Sequence, residues 1–422
     1  MAELSHFRLS GAQSLAPRRY ALDVVRGLAV LIVLGRHHPI PAKYAGSLEP
    51  VAKIWFRFGW TAVDLFFVLS GFLIGGMLFR ELKTTGKLNA GRFVVRRIAR
   101  IWPPYFLYVG FLALGLWFTA GRAPIFTEFQ KVPTLIPNLL HIQNYVLSIR
   151  PHTWSLAIEE HFYIALPLAL LLFVAWCRPP VKYIPGFVPT VIVFAAGILG
   201  LRLLNSETSN HGDFYSFLFP SHLRVDSIFF GVLLAYLVQF KPEWLTFARN
   251  NRLALVCAGL ILVSPASWLK IENSTFMQTF GLTLLYLGWG CIVLAAYFTD
   301  ERPAPGFVES AARFLAGIGI VGYSIYLWHW DIGRNPVKAL VERGALAWLP
   351  PELAWLAGTI IYVTVAIFGG WILGRLVEIP VIAWRDRLLP ARKHDEVAST
   401  PPRIVPQAAA VAVPARALAA AE

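Results

Sequence analysis

A chain of 422 residues that is 57% apolar, only 15% charged and of mean hydropathy +0.58 carries more apolar surface than a water-soluble core can bury, so its solvent is lipid. The 38 Lys and Arg against 24 Asp and Glu give a net charge of +14. Most of these bases stand between apolar runs, which marks retained cytoplasmic loops and argues against nucleic acid as a partner.

Residues 1–19 read as a short polar cytoplasmic arm. The first apolar stretch carries Asp23 and Arg26 and lacks a small-residue cleavage pattern, so it reads as a permanent span rather than a signal peptide. About 20 apolar residues cross the hydrocarbon of a bilayer. Runs of that kind fall near 22–40, 59–79, 97–118, 155–176, 187–204, 222–240, 252–269, 277–298, 314–333 and 353–375. Continuous runs of this length satisfy their backbone groups as helices rather than as barrel strands. The expected fold is all-α, a polytopic integral membrane helix bundle of about ten transmembrane helices spanning residues 20–380. The loop after the second run holds Arg80, Lys83, Lys87, Arg92 and Arg96, and both ends of the chain are basic, so both termini are expected in the cytoplasm. Residues 385–422 are rich in Pro and Ala and read as a disordered cytoplasmic tail. Cys177, Cys257 and Cys291 show no C-x-x-C spacing and are expected to be packing residues.

Ionisable side chains inside such runs are costly and usually face the bundle interior, so each is a candidate for function. In LDVVRGLAVLIVLGRHHPI, Arg26 and His37 lie eleven residues apart, close to three helical turns, and are expected on one helix face. A guanidinium suits phosphate and an imidazole suits proton abstraction, although a snorkelling Arg and an interfacial His would give the same pattern. The second run buries Asp64, which needs a His or Arg from another helix, while Ser70, Gly71, Gly75 and Gly76 read as helix-packing positions. FVVRRIARIWPPY sets Arg97 and Arg100 on one face, either as a polyphosphate clamp or as interfacial anchors. HTWSLAIEEHFY offers Glu159, Glu160, His161 and Tyr163, and SHLRVDSIFFG offers Arg224 and Asp226. YSIYLWHW carries Tyr326 and His329 in what is either an aromatic belt or a substrate site. No HExxH or Cys/His cluster indicates a metal.

Taken together and in this order, LDVVRG with His37, AVDLFFVLSGFLI, FVVRRIARIWPPY, WSLAIEEHFY, RVDSIFFG and YSIYLWHW resemble acyltransferase family 3, the membrane O-acyltransferases that modify polysaccharides and glycosides. The resemblance implies a bacterial inner-membrane enzyme with no permanently bound cofactor. It would use acyl-coenzyme A, usually acetyl-coenzyme A, as co-substrate and a carbohydrate hydroxyl as acceptor. It assigns His37 and Glu159 to catalysis and Arg26, Arg97 and Arg100 to the donor. Asp64, Tyr163, Arg224, Asp226, Tyr326 and His329 are expected to line or support the acceptor side, with Glu159 fixing the imidazole or binding the acceptor. Two departures stand out: Val24, where Gly is common, and Asp331, where Pro often follows the tryptophan. The competing reading is a transporter or flippase for a polar or lipid-linked sugar, in which the buried charges form a pathway.

Overall fold

The computed structural model describes residues 20–119, 135–177, 184–208, 213–299 and 305–390, and all regular structure among them is helical. The principal helices are α1 (Tyr20–Arg36), α2 (Glu49–Phe58), α3 (Ala62–Thr85), α4 (Ala90–Thr119), α5 (Trp154–Cys177), α6 (Phe187–Thr208) and α7 (Val225–Phe240). They are followed by α8 (Arg252–Val263), α9 (Leu282–Tyr297), α10 (Phe307–Ile320), α11 (Gly322–Trp328), α12 (Asn335–Glu342), α13 (Pro351–Leu373) and α14 (Ile379–Leu388). π-Helical turns at Met277–Gly281, His329–Arg334 and Gly374–Glu378 join α9, α12 and α14 to the segments before them.

All ten expected runs fall on helix, but they are not ten equal spans. Six helices are long and apolar enough to cross a membrane, and up to eight if two bent pairs are each counted as one span. The bent pairs are Val225–Phe240 with Pro242–Asn250 and Phe307–Ile320 with Gly322–Glu342. The first run is shorter than expected, because α1 has only 17 residues and stops at Arg36. Pro39 follows closely, and a residue before proline is pushed out of the helical region. At the other end α14 runs to Leu388, past the expected start of the tail at 385. Its last turn is held by Arg96, which pairs with Asp386 at 3.1 Å. The arm at 1–19 and the tail beyond 390 lie outside the described residues.

Without a hydrophobic drive between helices in lipid, close backbone approach through small residues has to hold the bundle. α1 crosses α10 at Gly27 and Gly319, where an added Cβ would lie 1.9 Å from the Leu315 carbonyl oxygen and 2.0 Å from that of Asp23. α3 crosses α7 at Gly71 and Gly231 in the same manner, with the Ile228 and Val68 carbonyl oxygens 1.9 and 2.2 Å from the added atoms. Gly75 also packs on α7, whereas Gly76 faces open space. Gly71→Val is therefore expected to cost about 1–3 kcal/mol through forced separation of α3 and α7. Gly76→Val should have little effect. Thermal unfolding of both variants in detergent checks the contrast.

The two described cysteines are free thiols; Cys291 is half-buried and Cys257 is exposed, so Cys257 does not pack in the core as expected. The side chain of Cys177 lies outside the described set.

Candidate active site

His37 does not extend the face of α1. It sits in the turn that follows, where its N–H bonds the Leu34 carbonyl, so the helix end aims the imidazole into the bundle. There it meets His329, the first residue of the π-helical turn after α11, which is fully buried. The His329 Nδ1 lies 2.6 Å from the Tyr326 carbonyl oxygen, and its Nε2 lies 2.8 Å from the His37 Nδ1. A carbonyl only accepts, so the neutral His329 carries its proton on Nδ1 and accepts at Nε2. His37 then donates from Nδ1, and its Nε2 is left as the basic nitrogen.

A third imidazole completes the group. His152, in the short turn Pro151–Thr153, has its Nε2 3.3 Å from the Leu327 carbonyl and its ring 5.2 Å from that of His329. Trp330 stacks on His152 at 5.3 Å and meets the edge of His37 at 5.0 Å. Among the described residues no group of three His, Cys, Asp or Glu is disposed to hold a metal ion.

The two turns that carry His152 and His329 are tied by a buried acid. Asp331 takes two guanidinium nitrogens of Arg150, Nε at 3.1 Å and Nη2, and accepts from the Tyr108 hydroxyl at 2.6 Å. Both charged side chains are almost wholly buried. A bidentate pair of this kind fixes orientation as well as distance.

On the α3–α4 side of this group lies a cavity of about 150 Å³ whose polar walls include Arg26, Arg97, Arg100, Ser70, Glu159 and Tyr163. Arg26 is braced by Asp23, one turn earlier on α1. Tyr163 donates to Glu159 at 2.6 Å, and Ser70, 3.0 Å from the Tyr163 oxygen, donates in turn to it. Glu159, expected either to fix the imidazole or to bind the acceptor, is hydrogen-bonded to Tyr163, and the side chain bonded to the His37 ring is His329. Tyr326 also lines the cavity; its hydroxyl donates to the His152 carbonyl at 2.5 Å and accepts from Ser155 at 2.7 Å. This hydroxyl is the link between the arginine cavity and the histidines.

Asp64, Arg224 and Asp226 belong elsewhere. Asp64 accepts from Arg224 at 2.7 Å and from Ser227 at 3.1 Å, and Asp226 pairs with Arg202 of α6; both ion pairs are buried. The partner that Asp64 required is present, and the network holds the start of α7 to α3 and α6 without lining the cavity.

Sequence reasoning passed over Arg150, His152 and Arg202. Arg202 carried a signal, a lone Arg inside an apolar run. Arg150 and His152 sit between runs and gave none beyond their nearness to the WSLAIEE motif.

The sequence profile of the acyltransferase domain family matches residues 19–375. The chain belongs to this family. Among its acyltransferase relatives, the peptidoglycan O-acetyltransferase of Listeria monocytogenes is 27% identical over 335 residues, 75% of this chain and 50% of that protein. An O-acetyltransferase of Staphylococcus aureus is 25% identical over 330 residues, 71% of this chain and 52% of its own length. The chain therefore spans about half the length of the curated relatives it matches. No solved structure matches it.

Proposed function

We propose that this acyltransferase moves an acyl group, acetyl by default, from acyl-coenzyme A to a hydroxyl of a carbohydrate acceptor such as a cell-surface glycan. The observation that carries the reading is the His37–His329 relay beside a cavity with three arginines in its wall. Arg97, Arg100 and Arg26 hold the phosphates of the donor, for which paired guanidinium groups are suited. The thioester then reaches inward past Tyr326. His37 Nε2 takes the proton of the acceptor hydroxyl as its oxygen bonds to the thioester carbonyl carbon. The C–S bond breaks, the proton passes from the imidazolium to the departing thiolate, and the products are the acyl ester and free coenzyme A. His329 fixes the tautomer of His37 and accepts the hydrogen bond that stabilises its charged form. Glu159 and Tyr163 shape the donor wall.

Because Arg97 and Arg100 stand near the start of α4, just after the basic loop, the donor cavity faces the cytoplasm on this reading. A relative named as a peptidoglycan O-acetyltransferase supports a glycan hydroxyl as acceptor, and the long apolar helices support a membrane as location. The test is turnover of radiolabelled acetyl-coenzyme A by the purified chain in detergent. Arg97→Ala is expected to raise the KM for the donor by about tenfold, the loss of one charge-assisted contact. Absence of any interaction between the wild type and acyl-coenzymes A overturns the reading.

A further inference from the structure

A second cleft, of about 900 Å³, is lined by His38, the neighbour of His37, and by Arg334, at the end of the turn that begins with His329, and shares no lining residue with the arginine cavity. Its walls include His38, Trp55, Trp355, Arg334 and Lys338. Two observations give it a chemical character. Trp355 is only 6% exposed, yet its indole Nε1 has no hydrogen-bond partner. A buried donor left in that state is costly, and an oxygen-rich ligand in the cleft would satisfy it after a small turn of the ring, while a sugar ring lay against Tyr44 and Phe56, the exposed aromatic rings of the lining. Arg334 and Lys338 stand four residues apart, one helical turn, and both reach the same wall. The Arg334 guanidinium lies 4.3 Å over the Trp330 ring, and Trp330 touches His37. A cation is thus held one aromatic ring away from the imidazole. The acid of this wall, Glu342, is exposed and only 3.7 Å from Lys338.

We propose that this cleft is the acceptor site and that it selects a sugar bearing a negative charge, read by Arg334 with Lys338 at the rim. The assignment rests on the acyltransferase reading for its role, but the binding it asserts is separable from turnover. The anion binds the guanidinium while the hydroxyl to be acylated is presented to His37. An uncharged sugar meets the same aromatic wall and lacks the ionic contact.

The test is equilibrium binding of short oligosaccharides to the purified full-length chain in detergent, with neutral, carboxylated and phosphorylated forms of one backbone. The expected result is that a charged form binds about tenfold more tightly than the neutral one, the size of one charge-assisted contact. The carboxylated and phosphorylated arms tell which anion is preferred. Arg334→Gln should remove the preference, and Lys338→Gln, at an exposed position tolerant of change, should reduce it. Equal binding of neutral and charged forms to the wild type overturns the proposal, as does a preference that survives in both variants. Charge-selective binding without turnover of acetyl-coenzyme A upholds the cleft and counts against the transferase reading.

Discussion

Replacing His37 with Ala is expected to lower acyl transfer by about two to four orders of magnitude, the range for loss of a general base, while the protein stays folded in the membrane. The side chain lies in a turn beyond the end of α1, so its removal disturbs no helix. What it leaves behind is an unoccupied acceptor nitrogen on His329. His329→Ala should also slow turnover, by about tenfold to a hundredfold, because His37 can then protonate either nitrogen and is charged without a partner. The donor KM should stay near the wild-type value in both, since neither imidazole lines the arginine cavity. Full activity in the His37 variant would sink the assignment. A rise in donor KM with unchanged kcat would move the imidazole from base to binding group.

Asp331→Ala is expected to lower stability by about 3–5 kcal/mol, because it removes the carboxylate that pairs with the buried guanidinium of Arg150. Thermal unfolding in detergent measures this directly. The harder test is the paired replacement of Arg150 by Met and Asp331 by Leu. Apolar residues of similar volume commonly recover the stability of a buried ion pair. Here the unfolding temperature is expected to return while turnover stays depressed, since the pair also sets the register between the turn of His152 and the turn of His329. Recovery of both would reduce Asp331 to a packing residue.

The helices were legible because lipid leaves apolar runs few alternatives. That Arg97 and Arg100 share a wall was legible too, since they lie within one turn and their facing follows from local geometry. Two kinds of feature were hidden. The first depends on where a helix stops: the periodicity of α1 carried His37 along the helix face, and Pro39 ended the helix before that face reached it. The second depends on contacts distant in the chain. His37 and His329 are 292 residues apart, and Arg150 and Asp331 are 181 apart. Chemistry alone told that Asp64 needed a cation, but not which of several arginines would supply it. Glu159 was expected either to fix the imidazole or to bind the acceptor, and residue type could not show that a tyrosine one turn along its own helix would hold it.

The crossing of α1 and α10 at Gly27 and Gly319 has a consequence for donor choice. Backbone pressed on backbone resists sliding and turning, so the helical stretch from Arg26 to the end of α1 at Arg36, about 15 Å at 1.5 Å per residue, fixes how far the turn that carries His37 stands from Arg26. On the proposed mechanism one end of that distance takes the donor phosphates and the other sets where the reactive carbon must arrive. On that mechanism a carrier arm shorter or longer than the span would present the wrong atom, and the handle on which the acyl group is delivered would be selected by its length.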